Sequence, residues 1–150
     1  MANRTFTVSQ ARELLPTLES LLRGVQEKKQ RIEEIDQRFQ EVNSRILLHG
    51  GLLIDIAPLA KLRAERDKLA EGIKDAVSEI GAMGVQIKDL DTGLLDFPCV
   101  VDGEVILLCW KMGEETITHW HTPAEGFAGR KVVDARIENA GRRGRGKSFH

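Results

Sequence analysis

Apolar residues recur at Val8, Ala11, Leu15, Leu18, Leu22, Val25, Ile32, Phe39, Val42 and Ile46, mostly alternating three and four apart. This is heptad spacing, broken at Lys29 and Asp36 and widened by Leu14, Leu21 and Ile35, and it predicts one long helix with a coiled-coil seam. A helix of roughly forty residues is about 60 Å long, more than a domain of ordinary size covers along its whole length. Thr7-Val8-Ser9-Gln10 marks its start as a capping box, with Phe6 and Ala11 at the positions of a hydrophobic staple. Pro16 lies inside the run; it removes one helical hydrogen bond and crowds the preceding turn, which predicts a kink or a break near residues 12–16.

His49-Gly50-Gly51 ends this segment, and Asp55-Ile56-Ala57-Pro58 opens a second helix, expected over 57–83 with Leu62, Leu69, Ile73, Ala76 and Ile80 as its seam. A short connection between two heptad helices implies an antiparallel hairpin. The second helix is the shorter and is expected to run out beside residues 23–26, leaving Leu14 to Leu22 to be covered by the chain beyond residue 84 or by a second subunit. The period then changes. Val85-Gln86-Ile87 alternates, and Leu94 to Val101 and Glu104 to Lys111 are strand-like runs joined by Asp102-Gly103, a strong signal for a two-residue hairpin turn. Gly113-Glu114-Glu115 turns the chain into Thr116 to His121. The expectation is an α+β protein: a long antiparallel coiled-coil helical hairpin, about 8–83, packed at its root on a small antiparallel β-meander of three or four strands. Residues 1–131 are expected to form a single domain, with the meander and a Gly-rich loop over 85–131 and a flexible basic tail over 132–150.

Composition agrees with this division. Four of the seven aromatics, Phe97, Trp110, Trp120 and Phe127, fall in the meander region. Arg142, Arg143, Arg145 and Lys147 offset an acidic remainder, since removing their four charges from the overall −1 leaves −5. The body therefore lacks the basic surface of a dedicated nucleic-acid domain, and a role with RNA or the ribosome would rest on the tail Gly141 to Lys147. No apolar run approaches the twenty residues of a membrane span. Two cysteines ten residues apart and no apolar stretch behind Met1-Ala2-Asn3-Arg4 lead to the expectation of a reducing cytoplasm.

A turn at Asp102-Gly103 pairs Val101 with Glu104 and hence Cys99 with Ile106, Phe97 with Leu108, Leu95 with Trp110 and Asp96 with Cys109. One face then carries Leu95, Phe97, Cys99, Ile106, Leu108 and Trp110 and belongs against the helices. The other carries Asp96, Pro98, Val100, Leu107, Cys109 and Lys111. A three-residue loop at 113–115, preferred because burial is then consistent, adds Trp120 to the apolar face and sets His119 opposite Cys109, with His121 beside Leu107; a two- or four-residue loop would reverse this and bury both histidines against Trp110. Asp96, Cys109, His119 and His121 are thus candidate metal ligands of the zinc type, because thiolate, imidazole and carboxylate suit that ion. The competing reading makes the histidines hydrogen-bonded strand residues and Cys109 a small packing residue. Trp110, Trp120, His121 and Arg130, with Asp96, form a second candidate set for a small ligand; in the plain alternative Phe127 plugs the core and Arg130 pairs with Glu125 or Asp96. Asp89-Leu90-Asp91-Thr92-Gly93 reads as a turn rather than a calcium loop.

Phe6-Thr7 with Ala11 and Leu14-Leu15-Pro16, Lys88 through Pro98, Leu108-Cys109-Trp110-Lys111, Trp120-His121 and Gly126-Phe127-Ala128-Gly129-Arg130 together resemble the bacterial domain-of-unknown-function family 2203 from about residue 5 to 131. The resemblance implies an architecture and motif positions, with Asp96, Cys109 and His121 inside the family pattern and His119 outside it; it implies no activity. The leading functional expectation is a cytoplasmic interaction or scaffold protein, not an enzyme, using the hairpin for a protein partner or self-association. The alternatives are a metal-binding protein or metal-dependent hydrolase with zinc as cofactor, and an RNA-associated factor.

Overall fold

The structure, a computed structural model, describes residues 4–49 and 55–140. Its elements are α1 (Val8–His49), α2 (Ile56–Ala82), β1 (Gln86–Asp89), β2 (Leu94–Val101), β3 (Glu104–Lys111), β4 (His119–His121), one 3-10 turn (Phe127–Gly129) and β5 (Lys131–Val132). The five strands form an antiparallel sheet in chain order. The fold is α+β, and the described residues fall into two compact units: one from Arg23 to Ala76, the other built from the chain before and after it.

In the unit that holds the sheet, α1 begins at the capping box. The Thr7 N–H donates to Gln10 Oε1 and the Gln10 N–H to Thr7 Oγ1, each at 3.0 Å, while Phe6 and Ala11 are both buried. Pro16 neither ends the helix nor breaks it; α1 is continuous through it. Pro16 itself is exposed, while Ala11, Leu15, Leu18 and Leu22 are buried in the core. Burying such side chains stabilises by about 1.5–3 kcal/mol each, together more than the ~3 kcal/mol cost of an internal proline.

That stripe packs on the sheet face made by Leu95, Phe97, Cys99, Ile106, Leu108 and Trp110, all in one cluster with Ile80, Ile117 and Ile137. Phe6 meets Phe97 edge to face with ring centroids 5.6 Å apart. Ile80 shares this cluster with Leu18 and Leu22, so the end of α2 belongs to the unit that holds the sheet. The β2–β3 register is the expected one throughout, Val101 on Glu104 to Leu94 on Lys111, and Cys99 is a core residue whose thiol burial pushes up to about 11.

Three expectations need correction. The strand expected from Thr116 shortens to three residues, because Ile117 turns into the core and its carbonyl accepts from Arg12 Nη2 at 2.7 Å instead of extending the ladder. The sheet has five strands rather than three or four, β1 and β5 being short edge strands with little alternation to read. The packed body does not stop at 131: residues 135–140 are helical, the Ile137 N–H donates to Asp134 Oδ1, and Ile137 is fully buried. The remainder of the expected tail, 141–150, lies outside the described residues.

In the second unit α1 and α2 run antiparallel, since Lys28 lies against Gly72 while Asp36, later in α1, pairs with Arg66, earlier in α2. Arg31 forks onto both oxygens of Glu65 at 2.6 and 3.0 Å, which holds that carboxyl below its ordinary range. Ile35 is fully buried here, whereas the heptad residues Ile32, Phe39, Val42 and Ile46 are half-buried. Replacing Pro16 with Ala should restore the bond to the Arg12 carbonyl without touching the core. Urea unfolding of Pro16→Ala is expected to show a gain of about 1–3 kcal/mol; an unchanged or lower midpoint would mean that the helix accommodates the proline at no cost.

Candidate metal centre

Side chains alternate across β2 and β3, so the face opposite the core carries Asp96 and Cys109 side by side on neighbouring strands. β4 adds His119 opposite Cys109 and His121 opposite Leu107. The loop of 113–115 therefore sets the expected register, even though the strand itself begins only at His119. It is the diagonal neighbour, His121, whose ring reaches across β3: its Nε2 lies 3.1 Å from both oxygens of Asp96. Asp96, Cys109 and His121 offer one ligand atom each, all within 4.8 Å of one another, and all three residues are buried, at 1, 0 and 3% exposure.

The proton positions follow from the partners. His121 Nδ1 is 2.8 Å from the Thr122 carbonyl oxygen, which only accepts, so Nδ1 carries a proton and donates. Nε2 then faces a carboxylate that is itself an acceptor. The contact needs either a shared proton or a shared cation. Burial first, then the charge of the Asp96 carboxylate, push the Cys109 thiol up to about 11 against the pull of Arg130. On a metal ion the thiol would give up its proton.

A metal-ligating histidine characteristically donates its other ring nitrogen to a carbonyl or carboxylate, which fixes tautomer and ring orientation. His121 has that arrangement. Tetrahedral ligands with bonds of ~2.0–2.3 Å lie roughly 3.3–3.8 Å apart, so the three atoms converge on one ion with small side-chain movement. A thiolate and an imidazole beside one carboxylate suit zinc and exclude calcium and magnesium, which take oxygen ligands.

His119, the fourth expected ligand, is not part of this group: it is half-exposed, with Nδ1 on Thr118 Oγ1 at 2.8 Å. The second expected set is divided by the sheet. Trp110 and Trp120 belong to the core side, Trp110 fully buried with Nε1 donating to the Glu114 carbonyl and Trp120 packed against the core beneath Lys131 Nζ. His121 and Asp96 occupy the other face, so the five residues do not form one ligand site. Phe127 does not plug the core; it is 40% exposed, with the Arg130 guanidinium 4.5 Å above its ring. Arg130 pairs with Glu114 at 2.9 Å, not with Glu125 or Asp96. Asp89 makes an Asx turn, its Oδ1 accepting from the Asp91 N–H, as the turn reading expects.

Two acids have roles not read from sequence, Glu114 with none assigned and Glu125 named only as a partner for Arg130. Glu114 holds Arg130 close enough to Cys109 for both to act on its thiol. Glu125 closes the turn behind His121: one carboxyl oxygen accepts from Lys131 Nζ at 2.6 Å and from the N–H and Oγ1 of Thr122 at 3.1 Å each. Lys131, then Thr122, hold its carboxyl down at about 2. Thr122-Pro123-Ala124-Glu125 has the threonine-to-acid spacing of a helix cap, and that signal was present in the sequence. Glu125 fixes the residue whose carbonyl orients His121. A depressed carboxyl contributes stability above its unfolded value of 4.5 and loses it as pH falls toward about 2. Glu125→Gln should therefore lower the unfolding midpoint at pH 7, and the gap to the parent should close as the pH is taken from 5 to 2; a constant gap would show that the charge is not what holds the turn.

Among the described residues no helix is long and apolar enough to cross a membrane. The basic residues on which an RNA role would rest lie outside them. The model of the family described as "Uncharacterized conserved protein (DUF2203)" matches residues 4–133. No curated protein and no solved structure matches.

Proposed function

The chain belongs to the DUF2203 family of uncharacterized conserved proteins, and from that starting point we propose that the protein binds one transition metal ion of the zinc type through Asp96, Cys109 and His121. The observation that carries the reading is the His121 ring: its Nδ1 is committed to the Thr122 carbonyl while its Nε2 is aimed at a buried carboxylate beside a buried thiol. Without an ion this is a costly arrangement, since a buried pair gains little over apolar packing. With zinc, one carboxylate and one thiolate neutralise the charge of the ion. None of the three residues is more than 3% exposed, so a substrate has little access to the ion, and its fourth position would be filled by water or another small group.

Protein purified without a metal-affinity tag is expected to hold about one zinc per chain by elemental analysis. Cys109→Ser and Asp96→Asn should each weaken retention by at least roughly a hundredfold in chelator competition, whereas His119→Ala should retain the ion. A metal-free parent that gains no stability from added zinc, or a Cys109→Ser protein that holds zinc as the parent does, would overturn the reading.

A second reading, an interaction arm for a protein partner or a second copy, is supported by Leu47, Leu48 and Ile56, exposed at 78, 80 and 73%. Light scattering is expected to show a concentration-dependent mass that Leu47→Lys with Leu48→Lys abolishes; a parent monomeric at high concentration would remove the self-association form of it.

A further inference from the structure

We infer that the ion acts as a clamp between strands, so that metal occupancy controls how firmly the segment from β4 to residue 140 is docked on the sheet. The inference rests on the metal reading above and concerns what the ion does there.

The three ligands come from three neighbouring strands, Asp96 from β2, Cys109 from β3 and His121 from β4. β2 and β3 are joined by eight paired positions. β4 meets β3 at three, Leu107 with His121, Leu108 with Trp120 and Cys109 with His119, and β5 meets β4 at two. Two ligands therefore stand on a hairpin that is well made without an ion, and the third is the last residue of a much weaker strand. An ion held by all three ties the weak strand to the strong pair.

His121 is also where the following chain is anchored. Its ring bonds the Thr122 carbonyl, Thr122 is tied to Glu125, and Glu125 to Lys131 at the start of β5. The Val133 N–H then donates to the Thr118 carbonyl, and residues 135–140 come next. Other contacts hold this segment as well: Ile117 and Ile137 are buried, Arg12 pairs with Glu138 at 2.8 Å, and Arg130 pairs with Glu114. The segment thus docks without the ion and opens more readily without it. Because a three-ligand ion binds only the docked form, linkage reduces the population of openings that break the site by a factor of 1 + [Zn]/Kd, roughly a hundredfold when free zinc is about 100 times Kd. A site whose ligands all came from one loop would order that loop alone.

Hydrogen exchange on the full chain, stripped with chelator and then refilled with zinc ion, tests this. In the metal-free protein the amides of 119–121 and 131–140 are expected to exchange at least tenfold faster than those of β2 and β3, and zinc should bring them to the level of β2 and β3. The Cys109→Ser chain should keep the fast exchange when zinc is added. Zinc bound at one per chain with exchange in 119–140 unchanged overturns the clamp and leaves the metal reading in place, as does a metal-free protein in which that segment is already as protected as β2. Failure to bind zinc at all overturns the metal reading and the clamp with it.

Discussion

Two residues with left-handed backbone, Asp102 at φ 52° and Gly103 at φ 82°, decide what each side of the sheet carries. Positive φ at both central positions is the turn whose twist matches two antiparallel strands, and glycine takes the second position without strain. That turn sets Val101 against Glu104, and every pair back to Leu94 and Lys111 is then fixed. A slip of one residue on either strand would reverse its faces. Asp96 would enter the apolar core against α1, and Phe97 and Leu95 would leave it. The position of the candidate site is thus a consequence of strand periodicity and one turn.

The same constraint creates an energetic problem that the polar face must solve. Asp96 and His121 are buried together in contact with Cys109, and a carboxylate removed from water costs several kcal/mol unless something compensates it. Neighbouring charges are already engaged elsewhere: Arg130 with Glu114, and Lys131 with Glu125. What meets Asp96 is an imidazole whose other nitrogen is committed to the Thr122 carbonyl, and a thiol whose burial keeps it protonated. One divalent cation, as proposed, would remove all three difficulties at once, taking the lone pair of Nε2, the carboxylate and the thiolate. Apolar residues would fill the same space at no electrostatic cost, which is why the polar set reads as a site rather than as packing.

Much of this was legible in the sequence, because it rests on short-range rules. The capping box at Thr7 and Gln10, the heptad stripe of Leu15, Leu18 and Leu22, the Asp102-Gly103 turn and the division of β2 and β3 into faces all come from spacing alone. Strand spacing alone did not separate His119 from His121; only the family resemblance did, with His121 inside its pattern and His119 outside. Both stand on the polar face, and only strand geometry and the Thr122 carbonyl decide which ring reaches Asp96. The passage through Pro16 depended on tertiary burial outweighing a local penalty, and β5 with residues 135–140 on the docking of one isoleucine, Ile137, in a stretch with no clear period. Arg130 found Glu114 rather than its nearer neighbour in sequence, Glu125, because Lys131 and Thr122 occupy Glu125.

In the proposed site one carboxylate, one thiolate and one imidazole share an ion. X-ray absorption at the zinc edge on the zinc-loaded protein reads that set directly. The ion is expected to have one sulfur at about 2.3 Å and nitrogen or oxygen ligands at about 2.0–2.2 Å. A shell without sulfur, or with more than one, would contradict it.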